Sequence, residues 1–157
     1  MRRQLKRVGL ALVVVFVGSQ LIRPDRTNPP VDDSRTIDAH LGRTSAVSSV
    51  LNRSCRDCHS NATLWPWYTQ VAPLSWLMAR GVAEGRKAVN FSEWTGYPPE
   101  VQRTLLSASC QDVSNGKMPG PYMLLRPETR LSPQDIETIC AAARQAEANA
   151  ADGRRQR

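Results

Sequence analysis

Residues 54–68 read SCRDCHSNATLWPWY, and the five residues Cys55-Arg56-Asp57-Cys58-His59 constrain the fold more than any other part of the chain. Two thiols three residues apart, with a histidine directly behind the second, can act on one object only if a helical turn presents them together. Structural zinc is a poor match, because it needs four ligands and Cys110 and Cys140 stand alone rather than as a second close pair. A thioredoxin-like dithiol needs a strand–helix–strand context, and a disulfide across two intervening residues closes a strained loop. The reading that uses all three side chains is a covalently attached haem, with the thiols adding to its two vinyl groups and His59 lying under the iron.

The surrounding pattern is helical. From Thr44, the residues Val47, Val50, Leu51, Cys55 and Cys58 recur at spacings of three and four, one face of a helix that the motif ends. After Pro66 and Pro73, the residues Leu74, Leu77, Met78, Val82 and Val89 predict a second helix. Gly81 and Gly85 lie one turn apart on it, which suits either the close approach of a backbone or flat ring or an ordinary helix crossing. Pro99 suits the first turn of a third helix reaching about Val113, with Val101 and Leu105 inward. SNGKMPGPY at 114–122 is a loop, rich in proline and glycine. Ser132, Pro133 and Asp135 mark the start of a last helix with Ile136, Ile139, Cys140 and Ala143 on its core stripe. No alternating strand pattern, repeat or nucleotide-binding glycine fingerprint interrupts this all-α reading.

Residues 1–22 join Arg2, Arg3, Lys6 and Arg7 to the apolar run VGLALVVVFVG and on to Ile22, the pattern of an export signal that is either cleaved or kept as a hydrophobic anchor helix. The 15 residues from Val8 to Ile22 make about 22 Å of helix, short of the roughly 20 residues that span a bilayer comfortably, yet an uncleaved anchor in the bacterial inner membrane is the favoured expectation. Residues 23–39, rich in Pro, Asp and Arg, read as an extended linker holding the domain off the membrane. The domain follows at 40–146, and 147–157 is expected to be a disordered basic tail. The formal charge of +7 is concentrated at the two ends, since residues 40–150 carry 11 Lys/Arg against 9 Asp/Glu. That distribution leaves no basic stripe for nucleic acid.

The ordered set Cys55-x-x-Cys58-His59-Ser60-Asn61, Thr63-x-Trp65-Pro66-Trp67-Tyr68, Ala72-Pro73-x-Ser75-Trp76, Gly85-Arg86, Asn90-Phe91-Ser92-Glu93-Trp94, Met118-Pro119, Tyr122 and Leu131-Ser132 resembles the bacterial haem-binding domain family, small exported c-type haem proteins. The likeness runs from residue 40 to about 143, and TNPPV at 27–31 resembles that family's approach to the domain. It implies a cytochrome c-like small helical fold around one covalent haem c per chain. The chain departs from the pattern at Arg126-Pro127-Glu128, where a histidine is expected before the proline, so this segment is not expected to supply a ligand.

His59 fills one axial position, and Met118, in the loop before the last helix, is the leading candidate for the other. Its position resembles the Met-Pro loop of small cytochromes c. His40 is expected to be exposed, and Met78 and Met123 to be packing. Trp65, Trp67, Tyr68, Trp76 and Trp94 are expected either to cage the cofactor or to form the core of the small domain, and Arg86 and the indole N–H groups are candidate partners for its propionates, Arg86 otherwise being a solvated helix charge. Cys110 and Cys140 either pair in an oxidising compartment or remain two buried thiols. The function that follows is electron transfer on the periplasmic side of the inner membrane with a redox partner protein, anchored there or soluble if the signal is removed. The alternatives are a haem-based sensor or peroxidase-like enzyme with an open distal site, and a non-haem metal or disulfide module.

Overall fold

The computed structural model describes residues 1–120 and 124–155, so Tyr122 and Met123 lie outside the described residues. Seven α-helices follow one another: α1 (Arg2–Ser19), α2 (Ile37–Leu41), α3 (Ala46–Ser54), α4 (Arg56–His59), α5 (Leu74–Ala88), α6 (Pro99–Ser114) and α7 (Pro133–Arg155). Short 3-10 turns at Asp33–Arg35, Trp67–Gln70, Phe91–Gly96 and Pro127–Thr129 join them, and no strand occurs among the described residues. The all-α expectation is met.

Local chemistry sets the helix ends. Thr36 and Ser45 cap α2 and α3 by accepting from the amides of Ala39 and Ser48. Pro99 and Pro133 open α6 and α7, where a missing N–H costs nothing. Helix α7 does not fray where the sequence reading placed a disordered tail. Its alanines and glutamates carry the helix on to Arg155, with the last two residues outside the described set.

Helices α6 and α7 lie against each other, α3 packs on α7, and α4 packs on α5. Ile37, Val50, Leu51, Val89, Phe91, Trp94, Leu106, Val113, Ile139 and Ala143 form one core between them. A Cys110–Cys140 disulfide joins α6 to α7, which settles the fate of these two thiols. Not every expected core position is inside: Leu77 is 62% exposed and Val101 37%. On α6 the buried stripe runs through Leu106 and Val113 instead.

The N-terminal expectation needs correction. Helix α1 forms and exposes its apolar side chains, but among the described residues no helix is long and apolar enough to cross a membrane. Four cations within Arg2–Arg7 use up its first turns and leave too short an apolar length for an anchor span. The following segment is extended as expected, yet it is bound to the domain. Gln20 exchanges two hydrogen bonds with the backbone of Ala72, and Trp76 Nε1 donates to the Ile22 carbonyl at 2.8 Å. Arg26 donates to the Thr69 carbonyl, and Asn28 to that of Thr63. Residues 33–41 then turn helical and bury Ile37, so the linker is a docked strap.

Candidate haem site

The motif is shaped by a break between two helices. Helix α3 ends as the Cys55 amide donates to the Leu51 carbonyl, and the Cys55 carbonyl then accepts from the amides of Cys58 at 3.2 Å and His59 at 3.0 Å. This single turn gathers Cys55, Cys58 and His59 on one side. Helix α5 crosses it so closely that a Cβ at position 85 would lie 2.4 Å from the Cys58 carbonyl oxygen, which only glycine permits. Gly81 faces open space. Of the two readings of the glycine pair, close backbone approach holds at Gly85 alone.

Cys55, Cys58 and His59 line a cavity of about 220 Å³, walled by Leu51, Val89, Phe91, Leu105, Val113 and Ile139 from four stretches of chain. Both thiols are free. Burial pushes the Cys55 thiol up to about 12, with Cys58 adding to the shift and Arg53 opposing it. Burial likewise pushes Cys58 up to about 11, helped by Asp57 and opposed by Arg86. Both are therefore neutral S–H groups near pH 7.

His59 is held by its neighbours in one orientation. Its Nδ1 lies 3.3 Å from the Val89 carbonyl, and Phe91 packs beside the ring with centroids 5.8 Å apart. Burial pulls its pKa below the usual value, outweighing the Val89 and Gly85 carbonyls and Asp112, so the neutral ring prevails. A neutral imidazole donating from Nδ1 carries its lone pair on Nε2, the arrangement of metal-bound histidines that give their other N–H to a carbonyl.

Met118 reaches the same cavity from the far end of α6. That helix closes with the Gly116 amide on the Val113 carbonyl and the Lys117 amide on that of Asp112, Gly116 taking φ +69°. The Met118 amide also donates to the Asp112 carbonyl, which folds the chain back over the helix end and leaves Met118 37% exposed at the cavity rim. The cavity is small beside the roughly 300 Å³ at which ligand pockets begin, and Lys117, Met118 and Pro119 are part of its lining.

The other expected site residues are placed elsewhere. Trp65, Trp67, Tyr68, Arg86 and Trp94 do not line this cavity. Trp67 is 79% exposed, and Trp65 donates its indole N–H to Asn28 of the strap. Trp94 is 1% exposed at the centre of the core, with its Nε1 unpartnered. Arg86 is spent on the strap and the turn after the motif: it donates to the carbonyls of Ser60 and Thr27, to Asn28 Oδ1 and to Thr63 Oγ1. In these placements Trp94 belongs to the core, Trp65 and Arg86 bond to the strap, and Trp67 faces solvent. His40 is exposed, as expected.

Residues that the sequence did not single out build the walls: Phe91 beside His59, Asp57 and Asp112 as lining carboxylates, and Thr129 and Leu131 after the loop. Phe91 and Leu131 stood within the motif set, but nothing in their spacing separates a wall from ordinary packing.

Two free thiols, a neutral imidazole with an available nitrogen, a thioether and an apolar lining fit a covalently held haem. Among the described residues no group of three or more His, Cys, Asp or Glu could hold a metal ion directly, so the zinc alternative has no donor set. Fold and site thus define a small all-helical cofactor-binding protein with one cysteine–histidine cavity. Residues 14–145 match the haem-binding domain family, and the chain belongs to that family of haem-binding proteins. No curated protein and no solved structure matches it.

Proposed function

We propose that the chain holds one haem c through Cys55 and Cys58 and carries single electrons on the periplasmic side of the bacterial inner membrane, with His59 and Met118 as iron ligands in a cytochrome c-like arrangement. The observation that carries this reading is that Cys55, Cys58 and His59 line one apolar cavity together with Met118, contributed by a separate loop. A haem bound there supplies reversible one-electron exchange between ferrous and ferric iron.

The chain's own groups do the rest. Cys55 and Cys58, both reduced, would hold the group through thioether bonds, each S–H adding across a vinyl C=C so that attachment would need no oxidant. The Val89 carbonyl orients the His59 ring, and the soft sulfur of Met118 would favour the reduced metal and raise its potential. The apolar walls exclude water.

A carrier needs no acid–base group in the cavity, and both lining carboxylates are held in ion pairs. Asp57 pairs with Arg126 and Asp112 with Lys117. The apolar N-terminal segment serves in this reading as the export signal, touching the inner membrane only while it is retained, and the partner is a redox protein.

The test is the absorption spectrum of the oxidised, haem-loaded protein. A thioether-to-iron charge-transfer band at the far-red end, abolished in Met118→Ala, is the expected result. A haem protein that lacks the band and turns over peroxide rapidly would overturn the carrier reading in favour of the enzyme.

A further inference from the structure

The chain after the Met118 loop returns to the cysteine motif at one charged contact. Arg126 Nη1 lies 3.3 Å from Asp57 Oδ2, with the two side chains only 21% and 10% exposed. Asp57 sits between the two thiols, and its Oδ1 accepts from the Leu64 amide at 3.0 Å. One carboxylate therefore ties together the motif, the turn that leaves it and a segment 69 residues downstream.

The arginine side of the contact is equally fixed. Its Nε donates to Glu128, and its carbonyl accepts from the Thr129 amide at 3.0 Å and the Thr129 hydroxyl at 2.7 Å. Thr129 is 1% exposed and lines the cavity with Leu131. Whatever holds Arg126 thus holds a wall of the cavity.

We propose that Arg126 is a positioning residue: its ion pair with Asp57 latches residues 124–131 to the attachment motif and so keeps Thr129 and Leu131 in place as walls of the cavity that Met118 also lines. The latch is a property of this chain's own side chains, and only its consequence for the iron rests on the reading given above. A pair held largely out of water is costly to break from one side, since a lone charge remains, and far less costly to remove as a unit.

The test uses the full chain as wild type, Arg126→Gln, Asp57→Asn, the double variant and Arg126→Lys. Asp57→Asn keeps the oxygen that accepts from Leu64, so it removes the charge without removing that bond. Amide hydrogen exchange is followed in peptides covering 124–131, with peptides of α5 as the internal reference. The latch predicts exchange about tenfold faster in 124–131 for each single variant, slower exchange in the double than in either single, partial recovery in Arg126→Lys, and no change in α5. Unchanged exchange in both single variants, or effects that simply multiply in the double, overturns it.

A second readout is the thioether-to-iron band of the haem-loaded chain, which should weaken in Arg126→Gln while the haem stays covalently attached. A wild type without the band removes Met118 ligation, and the exchange result then decides the latch by itself. A wild type with the band, and an Arg126→Gln variant equal to it in band and exchange, removes the latch and leaves the ligation standing.

Discussion

Gly85 is the residue on which the site's geometry turns most sharply. An added Cβ there would lie 2.4 Å from the Cys58 oxygen and 2.9 Å from its carbonyl carbon, both backbone atoms that cannot swing aside. Gly85→Ala should therefore push α4 off α5, destabilise the fold by about 1–3 kcal/mol and lower the haem-to-protein ratio. Gly81→Ala meets open space and should be neutral or stabilising by up to about 1 kcal/mol through helix propensity. Thermal melts and the haem content of the two variants check both. In the sequence the two glycines look alike, because a one-dimensional pattern shows that a backbone can come close but not which turn is met by another chain segment. The same limit separates the aromatics. Trp94 and Trp67 stand in similar motifs, yet one is 1% exposed and the other 79%, since only Trp94 has Phe91 and Tyr97 around it. The motif residues were legible for the opposite reason: a CxxCH spacing fixes its own geometry within one turn.

At the scale of elements, the helix ends were the most legible part, because capping is local chemistry. Pro99 and Ser132-Pro133 begin α6 and α7 as their sequences suggest. The α7 start joins the Ser132 amide and hydroxyl to Asp135 Oδ2, each at 2.8 Å, and Asp135 also pairs with Arg53 of α3 at 2.8 Å. The Ser132 amide chiefly holds the Asp135 carboxyl below its ordinary range. A depressed carboxylate stabilises the fold fully above its unfolded value, near 3.8, and loses that contribution as pH falls through the lower folded value. Asp135→Asn should cost about 0.5–2 kcal/mol at neutral pH and nothing below that window, which melts recorded from pH 7 down to pH 2 (roughly the acid limit of a carboxylate effect) would reveal. The extent of α7 was not legible. A basic, alanine-rich end reads as a tail until one notes that alanine needs no packing to stay helical.

At the scale of the whole molecule, the strap is what the sequence concealed. A segment rich in Pro, Asp and Arg has little that is apolar to bury, and the bonds of residues 20–30 to the domain run between residues 31 to 59 positions apart, through polar groups that follow no period. Arg86 is the hub, with four oxygen partners, two of them on Thr27 and Asn28. Arg86→Ala should release residues 20–30, cost about 1–3 kcal/mol through the acceptors left unpaired, and speed proteolytic cleavage in that stretch. Limited proteolysis followed by mass analysis of the fragments checks this, and a strap as resistant as in the wild type would show that Arg86 does not hold it. The strap also takes up Arg86 and Trp65: Trp65 donates to Asn28, and Arg86 joins Thr27 and Asn28 to the turn that follows the motif.

The central claim is that Cys55 and Cys58 hold a haem by covalent bonds, and the intact mass of the full chain tests it most directly. The chain is produced in cells that attach haem outside the cytoplasm, then denatured and weighed. The account predicts the polypeptide plus one haem in the wild type, unaffected by acid and organic solvent, and the bare polypeptide when Cys55→Ser and Cys58→Ser are combined. A wild-type chain that weighs only as polypeptide, or that loses its haem on denaturation, would contradict it.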